Sequence, residues 1–358
     1  MSTLIIAEAG VNHNGQEQLA FELVDAAKKA GADIVKFQTF KAKRLVTADA
    51  KQCEYQIKNT KREEGQLAML SRLELSFDVH RKLLDYCNQQ NIEFLSTAFD
   101  FESLDFLVHD LGLKRLKIPS GDITNAPLVL EHARSGCDLI VSTGMATLSE
   151  VEAALSVIAF GYINDKNEKP NIDAFQAAYY SDAGQKVLKE KVTVLHCTTE
   201  YPAPMEDINL KAMKTLSSAF NLKVGFSDHS QGIAVPIAAV ALGAGIIEKH
   251  FTLDNSMEGP DHKASLEPHE LSEMISSIRR IELALGNGLK GPRPSELKNK
   301  SIARKSLVAA RNIQIGDSFS EINLEIKRPG NGISPYRLWE LLGKPASRNY
   351  QEGEMLVE

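Results

Sequence analysis

The stretch KVGFSDHSQGIAVPIAAVALGAGIIEKHFT (223–252) decides the fold. Two short apolar runs, KVGFSDHS (223–230) and GIIEKHFT (245–252), flank the nearly all-apolar segment VPIAAVALGAG (235–245). The runs read as buried strands and the segment between them as a buried helix. Each strand ends in a histidine, His229 or His250, and opens into a polar loop. Successive strand–helix–strand units put both imidazoles on one rim of a parallel sheet. There they can hold a divalent metal or an anionic substrate; two satisfied core histidines are the plain alternative.

The same phrase repeats upstream. Strands are predicted at 4–11, 33–40, 92–99, 115–122, 138–145 and 192–199, with helical patterns between them. QEQLAFELVDAAKKAGA (16–32), for example, carries Leu19, Leu23, Ala26, Ala27 and Ala30 along one stripe. Eight such units within about 290 residues predict an α/β fold, a (β/α)8 TIM barrel. An open doubly wound sheet fits less well, because no GxGxxG follows the first strand. Polar residues gather where the strands end: Glu8, Lys36, Gln38, Thr97, Lys117, Ser120, Ser142, Thr198, Ser227 to His229, Lys249 and His250. In a barrel these ends meet at the catalytic face. Lysines inside strands two, four and eight call for anionic partners, since burying an ammonium group alone is costly.

Residues 41–76 and roughly 160–190 read as long loops, the first with helical spacing near its end and suited to a lid or a dimer contact. After a last barrel helix at 269–286, GNGLKGPRPSE (286–296) breaks regular structure. The predicted organisation is a barrel over 1–288, a linker over 289–300 and a small β-rich domain over 301–358.

Of the 358 residues, 43% are hydrophobic and 25% charged, with a net charge of -6. That is enough chain for one large core plus a small domain, and the wrong charge for a nucleic-acid binder. An anionic ligand must be held by a few placed cations rather than by the global field. MSTLIIAEAG at the N-terminus has neither a basic n-region nor a span-length apolar run, so no membrane association is expected and the cytoplasm is the expected compartment. Cys53, Cys87, Cys137 and Cys197 are scattered without a CxxC and are expected to be reduced.

Ten segments in order carry a family resemblance: AEAGVNHNG (7–15), KFQTF (36–40), EYQIKNT (54–60), KIPSGD (117–122), VSTGMAT (141–147), LHCTTEYPAP (195–204), GFSDHS (225–230), EKHFTLD (248–254), GPDHKAS (259–265) and KRPGNGISP (327–335). Together they resemble the sialic acid synthase family over essentially the whole chain. The resemblance implies a TIM barrel followed by an antifreeze-like domain of the SAF type, which in a homodimer reaches over the partner's barrel mouth. It also implies a reaction. C3 of phosphoenolpyruvate attacks the open-chain aldehyde of N-acetylmannosamine, water adds at C2, and phosphate leaves by C–O cleavage.

Carried over by motif, His229 and His250 are the only protein ligands of a divalent metal, Mn2+ first, with Mg2+ and Co2+ as alternatives. Lys36 and Lys117 pair with phosphoenolpyruvate, with Thr97, Ser120 and Ser227 as hydrogen-bond donors, and Ser142 joins the substrate-binding set. Glu8 takes the acid/base role; its alternative is a structural partner for Lys36. Gln38, Asp122, Thr199, Tyr201 and Asp261 resemble sugar-side residues, though Tyr201 in YPAP equally suits packing a turn. Arg328 resembles an arginine that reaches the sugar across the dimer. Some family members carry Asn where this chain has Thr199 and Glu where it has Asp122, a difference that bears on which hexosamine fits.

The family also makes legionaminic and pseudaminic acids, and CTTEYPAP is closer to the neuraminate and legionaminate branches. N-acetylneuraminate is the expected product, with N,N'-diacetyllegionaminate from 2,4-diacetamido-2,4,6-trideoxymannose as the alternative. A synthase acting on a phosphorylated aldose is disfavoured because such single barrels lack residues like 301–358. A catalytically inactive carbohydrate-binding protein is disfavoured by the joint presence of Glu8, Lys36, Lys117, His229 and His250.

Overall fold

The computed structural model describes residues 2–165 and 167–357. The chain divides into two compact units, Met1–Gly286 and Asn287–Glu358. In the first, eight parallel strands close into a barrel: β1 (Leu4–Gly10), β2 (Ile34–Thr39), β3 (Glu93–Ala98), β4 (Arg115–Ile118), β5 (Asp138–Ser142), β6 (Val192–Cys197), β7 (Lys223–Asp228) and β8 (Ile246–His250). Pairing of β1 with both β2 and β8 completes the expected TIM barrel. Several strands end earlier than their apolar pattern suggests. β4 stops at Ile118 because Pro119 has no N–H for the ladder, and Ser120–Asp122 turns into a short 3-10 helix.

The period of two along each strand sorts residues between the barrel interior and the surrounding helices. Leu4, Ile6, Ile34, Leu95, Ile140, Leu195 and Ile246 cluster inside as an apolar floor. Their outward neighbours, among them Ile5, Ala7, Val35, Phe37, Phe94 and Leu116, join the buried helix faces in the main core. The first helix, Glu17–Ala30, buries Ala20, Leu23, Val24, Ala27 and Ala30 and ends on Gly31 at φ +91, the left-handed cap that glycine adopts without strain.

Both long loops contain helices. Ile172–Tyr180 and Asp182–Lys191 pack on the far side of the helix Leu148–Ile163, with Phe160 and Phe175 edge to face at 5.2 Å. That cover is why Leu148–Ile163 is apolar all round rather than on one stripe. Residues 41–76 form three short helices, Ala42–Leu45, Glu54–Thr60 and Gln66–Leu73, around a core of Val11, Phe40, Ala42, Met69 and Leu73. Gly15 lets this segment close on the loop after β1: at φ +73, a Cβ there would lie 2.1 Å from the Arg72 carbonyl oxygen. Asn59 donates to the Pro260 carbonyl at 2.7 Å and ties the segment to the loop after β8.

The second unit carries an antiparallel pair, β9 (Ser306–Ala309) and β10 (Leu324–Lys327), over a small core including Leu307, Ile313, Phe319, Tyr350 and Leu356. A helix, Pro294–Ala303, occupies residues read as linker. Pro294 breaks nothing, because it stands in the first turn, where its missing N–H costs no hydrogen bond. The Glu296 carboxylate accepts from Arg293 N–H at 2.7 Å to cap that turn. The four cysteines are free, and among the described residues no helix is long and apolar enough to cross a membrane.

Candidate active site

Above the apolar floor, at the C-terminal ends of the strands, lies a cavity of about 460 Å³. Every barrel residue nominated from the sequence lines it: Glu8, Lys36, Gln38, Thr97, Lys117, Ser120, Asp122, Ser142, Thr199, Tyr201, Ser227, His229, His250 and Asp261. Arg328 lies in the second unit, directly after β10. Three residues read as part of the rim, Thr198, Asp228 and Lys249, do not line the cavity. Thr198 donates its hydroxyl to the Asp207 carbonyl at 3.1 Å, and Lys249 points outward to Asp228. Strand parity is the reason: with Glu248 and His250 facing in, Lys249 must face out.

The centre of the cavity is a buried charge quartet. Lys36 Nζ lies 2.6 Å from Glu8 Oε2 and 3.6 Å from Glu248 Oε2, and donates to Thr97 Oγ1 at 3.1 Å. Lys117 Nζ lies 3.4 Å from Glu248 Oε1, which also accepts from Ser227 Oγ at 2.7 Å. Strand register produces this arrangement: Glu8 pairs with Lys36, Thr97 with Lys117, and Ser227 with Glu248. Glu248 escaped the sequence reading although it stands inside EKHFTLD. Its signal was the spacing from His250, because two residues along a strand share a face.

Burial disfavours both carboxylates, and the lysine charges offset it unequally, which sets the two apart in acidity. It raises the Glu8 pKa above its ordinary value, with the Glu248 charge adding to the effect and Lys36 opposing it. Burial also disfavours the Glu248 carboxylate, but Lys117 and Lys36 together outweigh it and hold that pKa well below the usual range. Lys36 is pushed down by burial and more than restored by Glu248 and Glu8, so its pKa is raised. Lys117, which lacks a second close carboxylate, is lowered by burial. The Glu8–Lys36 pairing foreseen as the structural alternative for Glu8 is thus present.

Tyr201 lies against His229 with ring centroids 4.1 Å apart, and Tyr55 lies 5.1 Å from Tyr201. Gln38 donates to Glu8 at 3.3 Å, and Asp122 accepts from Asn125 at 3.1 Å. Ser142 Oγ and Thr199 Oγ1 are buried without a hydrogen-bond partner, so both are available to a ligand. Gly144 allows this crowding. Its N–H donates to Ser120 Oγ at 2.9 Å, and a Cβ would fall 2.2 Å from Thr199 Oγ1.

The two histidines have ring centroids 5.4 Å apart. His229 Nδ1 sits 2.6 Å from the Thr198 carbonyl, which can only accept, so Nδ1 carries the proton and Nε2 a free lone pair. Burial holds the His229 pKa at about 4 and lowers that of His250 well below its ordinary value, the neighbouring His229 adding to the effect. Both rings are therefore neutral at pH 7, the state a metal requires. His250 Nδ1 is buried without a hydrogen-bond partner, 3.7 Å from Asp261 Oδ2. Burial, with Glu8 adding, pushes Asp261 up to about 7. No cluster of three or more potential ligands exists among the described residues. The free Nε2 lone pair of His229 and the neutral His250 ring beside it fit a two-histidine centre completed by water or substrate oxygens.

The family follows from comparison with known proteins. A NeuB family model matches residues 23–290, and a SAF domain model matches residues 304–358. The chain belongs to the NeuB family. This NeuB chain is 51% identical to the N,N'-diacetyllegionaminic acid synthase of Campylobacter jejuni over 99% of both proteins. It is 46% identical to the N,N'-diacetyllegionaminic acid synthase of Legionella pneumophila, over 100% of this chain and 94% of that protein. Among solved structures, the N-acetylneuraminic acid (sialic acid) synthetase of Leptospira borgpetersenii is 33% identical. It matches with a TM-score of 0.68 over 84% of this chain and 90% of that one. The sialic acid synthase resemblance and the SAF tail read from the ten motifs both stand.

Proposed function

We propose that this NeuB protein condenses phosphoenolpyruvate with 2,4-diacetamido-2,4,6-trideoxymannose and water to give N,N'-diacetyllegionaminate and phosphate. The coarser class, a phosphoenolpyruvate-dependent nonulosonic acid synthase and hence a transferase, follows from family membership. The choice of sugar rests on the full-length identity to two legionaminic acid synthases, and it puts the legionaminate alternative ahead of the neuraminate product expected from the sequence. The cavity supports it. Val11, Phe40, Leu45, Leu70, Leu73 and Phe99 pack together as an apolar wall of the same cavity. Such a wall suits a sugar with a methyl at C6 and a second acetamido group better than one with hydroxyls there.

Lys36 and Lys117 receive the phosphate and carboxylate of phosphoenolpyruvate, exchanging one or both glutamate partners for the ligand. The hydroxyls of Thr97, Ser120, Ser142 and Ser227 supply hydrogen bonds around the same anion. Glu8 and Glu248, pushed apart in acidity, divide the labour: Glu8 carries a proton to or from the aldehyde oxygen or the C2 water, while Glu248 stays ionised. Gln38, Asp122, Thr199, Tyr201 and Asp261 orient the sugar. His229 and His250 would hold Mn2+, with Mg2+ or Co2+ as substitutes, and the cation would polarise the aldehyde as a Lewis acid. In a homodimer with exchanged SAF domains, Arg328 completes the partner's sugar site. The cytoplasm remains the expected compartment, in keeping with four unpaired cysteines.

The reaction is tested with 18O-labelled water, phosphoenolpyruvate and the diacetamido sugar. C–O cleavage leaves the released phosphate unlabelled; phosphate carrying 18O would mean P–O cleavage and a different enzyme.

A further inference from the structure

Asp228 and Lys249 take no part in the chemistry above, yet both are fully buried. They stand opposite each other in the register of β7 and β8, on the outward side, and each immediately precedes one of the two histidines. Lys249 Nζ donates to Asp228 Oδ2 at 2.7 Å and to the Ser230 carbonyl. The other carboxylate oxygen, Asp228 Oδ1, accepts from Ser230 N–H at 2.9 Å. These bonds close a buckle around the backbone on both sides of His229 and fasten it to the residue before His250.

Stability is a poor reason for such a pair. Desolvating two charges offsets most of their attraction, and apolar replacements of similar volume are often neutral or stabilising. Geometry is a better reason. His229 is oriented by its own bond to the Thr198 carbonyl, and its carbonyl accepts from Ala203 N–H at 2.9 Å. The His250 ring has no comparable tether: its Nδ1 lacks a hydrogen-bond partner. Its placement relative to His229 is therefore fixed through backbone: the His250 carbonyl accepts from Leu266 N–H at 2.9 Å, and Lys249, one residue before it, is the side-chain link from that backbone to the His229 strand.

We propose that the Asp228–Lys249 buckle is a positioning device that sets the separation of the His229 and His250 imidazoles for a divalent cation. The inference rests on the metal reading above. Two double variants test it, D228L/K249M (apolar) and D228N/K249Q (polar but neutral), each followed by thermal melting and by Mn2+ titration using calorimetry and electron paramagnetic resonance. The apolar variant should melt near the wild type yet bind Mn2+ at least tenfold more weakly, the loss typical when support behind a metal ligand is removed. The melting shift that phosphoenolpyruvate induces in metal-free protein should stay unchanged, because Lys36 and Lys117 are untouched. Wild-type Mn2+ affinity in either folded double variant overturns the positioning role alone. A wild-type protein that binds no Mn2+ overturns the metal reading and the buckle together. Failure of both variants to fold makes the pair a folding element and likewise overturns the proposal.

Discussion

Glu248→Gln isolates the role of the charge quartet with almost no change of shape. In the wild type, Glu248 is the one carboxylate within 4 Å of Lys117 among the described residues, while Lys36 keeps Glu8 at 2.6 Å. The substitution therefore strands one buried ammonium group and spares the other. Removing one partner of a buried pair costs about 3–5 kcal/mol. At roughly 2–4 °C per kcal/mol for a unit of this size, melting of the ligand-free barrel should fall by about 10 °C. Phosphoenolpyruvate should then raise the melting temperature more in the variant than in the wild type, because it no longer competes with Glu248 for Lys117. Turnover should drop, since the fixed anion opposite Glu8 is gone. Differential scanning fluorimetry with a phosphoenolpyruvate titration reads both effects. A variant that melts within about 2 °C of the wild type, with an equal ligand shift, would refute the quartet as the anion-binding centre.

Lys36→Met and Lys117→Met should each raise the phosphoenolpyruvate KM much more than the sugar KM, by about thirtyfold or more for a lost buried cation, as steady-state kinetics will show. Mixing inactive Arg328→Ala and His250→Ala homodimers should, after subunit exchange, restore about half of wild-type activity per heterodimer, since one composite site is intact. Continued inactivity despite proven exchange would sink the shared site. His132 is buried and neutral, with burial holding its pKa at about 4. Its folded-state value is lower than the unfolded one, so it costs stability as pH falls from about 6.5 to 4, by at most roughly 3 kcal/mol. His132→Leu should flatten urea-denaturation stability across that window, and an unchanged acid slope would contradict the assignment.

The barrel was legible because each strand ends where an apolar run meets a polar residue, and the ten motifs placed the same residues on one rim. What escaped needed facing, not composition. Glu248 and Lys249 are adjacent in sequence, but only strand parity shows that the first enters the cavity and the second leaves it. Pro294 looked like a breaker, although a proline in the first turn of a helix breaks nothing. The helices within 41–76 and 160–190 are short, Ala42–Leu45 the shortest and Asp182–Lys191 the longest, so most span too few turns for periodicity to separate them from loop. The apolar wall invoked for the proposed sugar was least readable, because it is assembled from separated segments, with Val11, Phe40, Leu70 and Phe99 brought together only by the fold.

The most direct measurement is a competition in one vessel: purified protein, Mn2+, limiting phosphoenolpyruvate, and equal concentrations of N-acetylmannosamine and 2,4-diacetamido-2,4,6-trideoxymannose, with products counted by mass spectrometry. An apolar wall of this kind discriminates by about tenfold to a hundredfold, so N,N'-diacetyllegionaminate should dominate by that margin. An excess of N-acetylneuraminate would contradict the assigned sugar, and the absence of both products would contradict the synthase itself.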